Sequence, residues 1–103
     1  MATYITSGIN LSVLPVIATI TSSETWKSTF SGTALVQVYA YGYEEGNSDN
    51  ISVALFPITS GTDYTVTIGG SGADSSFGNG TTPYASASAG SSSNSAKVVI
   101  YQV

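Results

Sequence analysis

The stretch ALVQVYAYGY, residues 34–43, alternates in two-residue steps, and no other feature limits the fold of this chain as tightly. Leu35, Gln37, Tyr39, Tyr41 and Tyr43 fall on one face, and Ala34, Val36, Val38, Ala40 and Gly42 fall on the other. Successive side chains take opposite faces in an extended strand, not in a helix. The small aliphatic face is the one expected to be buried, leaving the tyrosines as a flatter amphipathic surface. The same period recurs downstream. ISVALF (51–56) sets Ile51, Val53 and Leu55 on one side, and DYTVTIG (63–69) sets Tyr64, Val66 and Ile68 against Asp63, Thr65 and Thr67. AKVVIYQV (96–103) reads as a closing strand, and LSVLPVIATI (11–20) as a buried strand interrupted by Pro15. No window places apolar residues at helical spacing, and Leu, Glu, Lys, Met and Gln are scarce.

Turn chemistry falls between these segments. EEGNSDN (44–50) has the composition of a hairpin loop, ITSGTD (58–63) is a tighter turn with Gly61 available for positive φ, and SASAGSSSNSA (86–96) reads as a flexible loop. Strands at roughly ten-residue spacing with turns between them predict an all-β, antiparallel β-sandwich, jelly-roll-like and without significant helix. At 103 residues the chain makes a single domain, 1–103.

Composition narrows what such a sandwich does. Only 8% of residues are charged, against about 25% in ordinary globular proteins. Ser and Thr together number 31, so hydroxyls do most of the solvating, and little charge holds copies apart. The net charge is −4 with Lys27 and Lys97 the only cations, which excludes tight nucleic-acid binding. There is no Cys, hence no disulfide framework and no thiolate metal site. With His absent as well, the commonest general base and the strongest nucleophile are both missing, so no catalytic residue is assigned and the chain is not expected to be an enzyme. A two-carboxylate pair such as Glu24 and Asp63 would need a cleft that a chain this small rarely builds.

Glu44, Glu45 and Asp49 are hard oxygen donors of the kind Ca²⁺ takes, but their spacing misses that of an EF-hand, and a solvated hairpin tip is expected there. GGSGADSS opens no helix and carries no Lys, so it is no phosphate cradle. No metal or cofactor is expected. Residues 11–20 are short of the ~20 that span a bilayer, and no basic segment precedes them, so membrane insertion is not expected either. Three glycosylation sequons, at Asn10, Asn50 and Asn79, are what chance supplies in a chain so rich in Ser and Thr.

Two aromatic features remain. Phe77 stands alone in GGSGADSSFGNG, and a ring isolated in polar chain reads as an anchor. Gly69, Gly70 and Gly72 permit a tight reversal, Asp74 and Ser75 can bond local backbone, and Phe77 then folds back to plug one end of the sheet. The second feature is the row Tyr39, Tyr41 and Tyr43, with Trp26 near it. That row is a candidate partner or ligand surface, and packing or a subunit contact is expected ahead of a sugar platform.

From residue 26 onward the pieces fall in a recognisable order: Trp26, SGT (31–33), VQVYAYG (36–42), Pro57, GTDYTVTIGG (61–70), SSFG (75–78), ASASAG (85–90) and VVIY (98–101). This order resembles the glycine-rich β domain of bacteriophage tail-fibre tips and related virion structural proteins. The resemblance covers about three quarters of the chain. Where that family carries long polyglycine runs, this chain reads YEEGNSDN (43–50), which favours a scaffold or virion-surface role over a tip adhesin. What the resemblance implies is a virion structural protein, made in the host cytoplasm: a capsid decoration, a fibre tip or a small accessory head or tail protein. It further implies a homo-oligomer, a trimer as in fibres, docked on a capsid or tail protein. Residues 1–22 fall outside the matched pieces and are the candidate docking or inter-subunit segment. The alternative is a carbohydrate- or host-receptor-binding module that meets a host surface glycan with its aromatic face.

Overall fold

The computed structural model describes residues 14–103. Of the candidate docking segment, residues 1–13 lie outside the described residues. Eight strands follow in chain order: β1 (Val16–Ile20), β2 (Glu24–Lys27), β3 (Gly32–Tyr39), β4 (Ile51–Ile58), β5 (Asp63–Thr67), β6 (Ser75–Asn79), β7 (Thr82–Ala87) and β8 (Lys97–Gln102). They form two antiparallel four-stranded sheets, β1-β8-β3-β4 (sheet A) and β2-β5-β6-β7 (sheet B). No helix occurs among the described residues. The architecture is the all-β sandwich that the alternation predicts.

Local and distant pairings share the work. β3 and β4 form a hairpin around 40–50, and β5, β6 and β7 follow one another as a meander. Gly61 turns the chain between β4 and β5 with φ of 82°, as expected of that position. The last strand, β8, inserts between β1 and β3, with Val98 opposite Val38 and Ile20, and Ile100 opposite Val36 and Ala18. The ends of the described chain are tied together. Gln102 N–H donates to the Pro15 carbonyl and Val103 N–H to the Thr33 carbonyl, both at 3.0 Å.

Between the sheets, Val36 and Val38 of β3 and Val98 and Ile100 of β8 meet Tyr64, Val66 and Phe77 from sheet B. These side chains are almost wholly withdrawn from water. Each is worth about 1.5–3 kcal/mol of burial, the term that must offset chain ordering in a fold without disulfides. The aliphatic face of 34–40 is therefore buried, as expected.

The tyrosine-bearing face is not the open surface expected. Leu35, Tyr39, Ile51, Val53 and Val99 form a second buried cluster on the far side of sheet A, with Tyr43 and Tyr101 packed against it. Tyr39 is only 9% exposed. Its ring lies 4.9 Å from that of Tyr43, and the Lys97 ammonium sits 4.8 Å above the Tyr39 centroid and 5.9 Å from that of Tyr43. Gln37 is buried in the same face, and its amide oxygen accepts a 3.0 Å hydrogen bond from the Tyr101 hydroxyl. Both faces of β3 and β8 are covered, which is why VVI in β8 is a continuous apolar run.

Two loop expectations change as well. SSFGN is strand β6, so Phe77 does not plug an end of the sheet but sits within it, opposite Val66 and Ala85. SASAGSSSNSA is not one flexible loop: Ser86 and Ala87 finish β7, with Ala85 and Ala87 turned into the core.

Candidate interaction surfaces

Phe77 is the centre of an aromatic cluster between the sheets. Its ring centroid lies 5.5 Å from Tyr64, 6.1 Å from Phe56, 6.2 Å from Tyr84 and 6.4 Å from Trp26. No part of Phe77 is exposed. The pairing of β2 with β5 sets Trp26 opposite Tyr64, at 5.9 Å between rings. The Tyr64 hydroxyl accepts from Thr59 N–H at 3.0 Å, so its polar tip is satisfied at the rim. Phe56 and Tyr84 stack at 5.4 Å and bring β4 and β7 together. Their part was not visible in the alternation. Tyr84 lies beside the register shift between Phe77 and Gly78, and a bulge leaves no trace in a two-residue pattern.

Trp26 and the tyrosines therefore do not come together. Trp26 belongs to the inner face of sheet B, whereas Tyr39 and Tyr43 lie on the outer face of sheet A. Tyr41 follows the end of β3, is half-buried, and its carbonyl accepts from Gly90 N–H at 2.8 Å. The one platform expected from four residues is divided among a core, a covered face and a turn.

That turn packs on the segment after β7. Gly42 N–H donates to the Asn94 carbonyl at 2.7 Å, and Ser92 N–H to the Gly42 carbonyl at 3.1 Å. Ser88 N–H reaches the Asp49 carbonyl at 2.9 Å, and the Asn50 side-chain amide donates to the Ser88 carbonyl at 2.9 Å. Gly42 and Gly90 face each other so closely that a Cβ on either would fall onto the other's backbone. These contacts pin residues 88–94 against the β3–β4 hairpin. Asn50 is 4% exposed, so this sequon does not present its amide to solvent. Beside it, Glu44 Oε1 accepts from Ser91 Oγ at 3.1 Å, and Glu44 and Asp49 border an open cleft. Among the described residues no three His, Cys, Asp or Glu side chains gather where they could hold one metal ion.

The charged residues weighed for chemistry are spread apart. Lys27 Nζ lies 3.0 Å from Asp63 Oδ1 with both side chains mostly exposed, and it also donates to the Gly61 carbonyl at 3.3 Å. Glu24 pairs with Val66 at the other end of the same β2–β5 ladder, on the face opposite to Asp63. Thr65, Thr67, Ser76 and Thr82 line a shallow, hydroxyl-walled depression on sheet B. The chain matches no protein-family model, no curated protein and no solved structure. The fold defines an all-β sandwich whose aromatic residues are spent largely on packing.

Proposed function

We propose that the protein is a structural component of a bacteriophage particle, a capsid decoration, fibre tip or small accessory head or tail protein. It works by contact with other polypeptides: copies associate with one another and dock on a capsid or tail protein. The observation that carries this reading is the ordered set of family-like pieces, which occupies consecutive parts of one core. GTDYTVTIGG contains β5, SSFG lies in β6 and VVIY in β8, and Val66, Phe77, Val98 and Ile100 from these pieces meet between the sheets. The surface suits the role. With 8% charged residues and hydroxyl-rich faces, neighbouring copies gain contact without bringing like charges together.

Deleting the gene from the phage that carries it tests the reading. Purified particles should lose one stoichiometric polypeptide by mass spectrometry and a matching density by electron microscopy. Particles of unchanged composition would overturn it. A carbohydrate-binding role has less to stand on, since Trp26 lines the sandwich core and Tyr39 is covered. Of the four aromatic residues proposed for it, it keeps the half-buried Tyr41 and Tyr43, and binding on a glycan array that Tyr43→Ala abolishes is the result that would restore it.

A further inference from the structure

Among the described residues, two sheets of four strands have four edges, and an edge strand offers a row of backbone donors and acceptors to any chain that can pair with it. Three of these edges carry a device that discourages pairing. β2 has four residues and begins and ends in charge, at Glu24 and Lys27. β4 contains Pro57, and β7 contains Pro83. The β4 and β7 edges also face each other through the stack of Phe56 on Tyr84.

β1 differs. Its sequence is VIATI, with no charge and no proline inside it, and no charged residue lies within three positions on either side. Such a segment has high β-propensity and nothing to keep a like segment away. Its pairing with β8 is irregular only between Val16 and Ala18, and Ala18, Thr19 and Ile20 stay in register. A second observation falls at the same place. Val16 and Val103, each 55% exposed, are the most exposed large apolar side chains among the described residues. The bond from Gln102 N–H to the Pro15 carbonyl holds them at the same end of the β1–β8 pair, Val16 on the edge strand itself and Val103 one strand further in.

We propose that the β1 edge is the self-association surface of this protein. It takes β1 of a second copy in antiparallel pairing, so that sheet A continues across a twofold axis. β1 is its own complement: uncharged strand meets uncharged strand, and Val16 of each copy lies at an end of the contact. The inference rests on the self-associating role proposed above and names the surface through which it occurs.

The experiment is light scattering on a size column over a concentration series of the full chain, joined to amide hydrogen exchange of residues 16–20. Val16→Lys/Thr19→Lys places charge at two exposed positions of the edge, and Thr25→Lys places the same charge on β2 as a control. The expected mass is twice the 10.5 kDa of one chain. The double variant should raise the dissociation constant at least tenfold, Thr25→Lys should leave it unchanged, and β1 amides should gain protection as concentration rises. A trimer, a dimer that the double variant does not weaken, or β1 protection independent of concentration overturns the edge pairing while self-association by another surface stands. A monomer at every concentration overturns both.

Discussion

Phe77→Ala is the sharpest test of how this sandwich is held together. The ring is fully buried and touches four other aromatic side chains, from both sheets. Replacing it removes about 100 Å³ of side chain, which at about 24 cal/mol per Å³ of unfilled cavity is roughly 2.4 kcal/mol. The lost transfer of the ring from water adds about 2 kcal/mol, so a total of about 4 kcal/mol is expected, within the range of buried Phe→Ala changes. For a domain of this size that is a fall in Tm of about 15–30 °C. Such a loss approaches the whole stability of many domains, so Phe77→Leu serves as a milder companion, at about 1–2 kcal/mol. The assay is urea unfolding followed by near-ultraviolet circular dichroism, with the midpoint falling and the slope unchanged. A Phe77→Ala unfolding free energy within about 0.5 kcal/mol of the parent's would refute the central position given to this ring.

Three further outcomes follow from single contacts. Gly90→Ala should cost about 2 kcal/mol or more, because its Cβ meets the Gly42 carbonyl, whereas Gly46→Ala, at φ of 83° with open space around it, should cost only about 1–2 kcal/mol; thermal melts rank the two. Tyr101→Phe leaves the Gln37 amide oxygen buried without its donor, an expected loss of about 1–3 kcal/mol in chemical unfolding that the further change Gln37→Leu should partly restore. Lys27→Ala should change stability by no more than about 0.5 kcal/mol, since the pair it makes with Asp63 is largely solvated; a larger loss in the same assay would mean the 3.0 Å contact is worth more than its exposure allows.

How much of this was legible in the sequence depends on which length scale each feature lives on. The alternation of Val36 and Val38 against Leu35, Gln37 and Tyr39 is local, and the side chains divide between the two faces of sheet A as it requires. Alternation states which residues share a face. It does not state whether that face is covered, so the burial of Tyr39 and Gln37 could not be read from it. Likewise SSFGN has little intrinsic strand preference, and it becomes β6 because Val66 and Ala85 flank Phe77 on neighbouring strands. In ASASA (85–89) the contrast between Ser and Ala is too slight to mark an inward face, although Ala85 and Ala87 are both in the core.

The misplacement of Trp26 has a deeper cause. Nothing in a two-residue period says which sheet a strand joins, because the connections from β1 to β2 and from β2 to β3 each change sheet. Trp26 and Tyr39 are 13 residues apart in a chain whose neighbouring strands mostly run side by side, so proximity was the natural inference. What overrides it is the pairing of β2 with β5, which sets Trp26 opposite Tyr64 and turns both rings toward Phe77. Four residues as short as ETWK cannot form a stable element alone. Their position is decided by the aromatic cluster they complete, and the surface chemistry of the protein is decided with it. Most rings drawn into packing are withdrawn from any ligand, and what is left outside is mainly hydroxyl and glycine, with scattered charge such as Lys27 and Asp63, the partly exposed Leu55 and Tyr84, and the uncharged edge of β1.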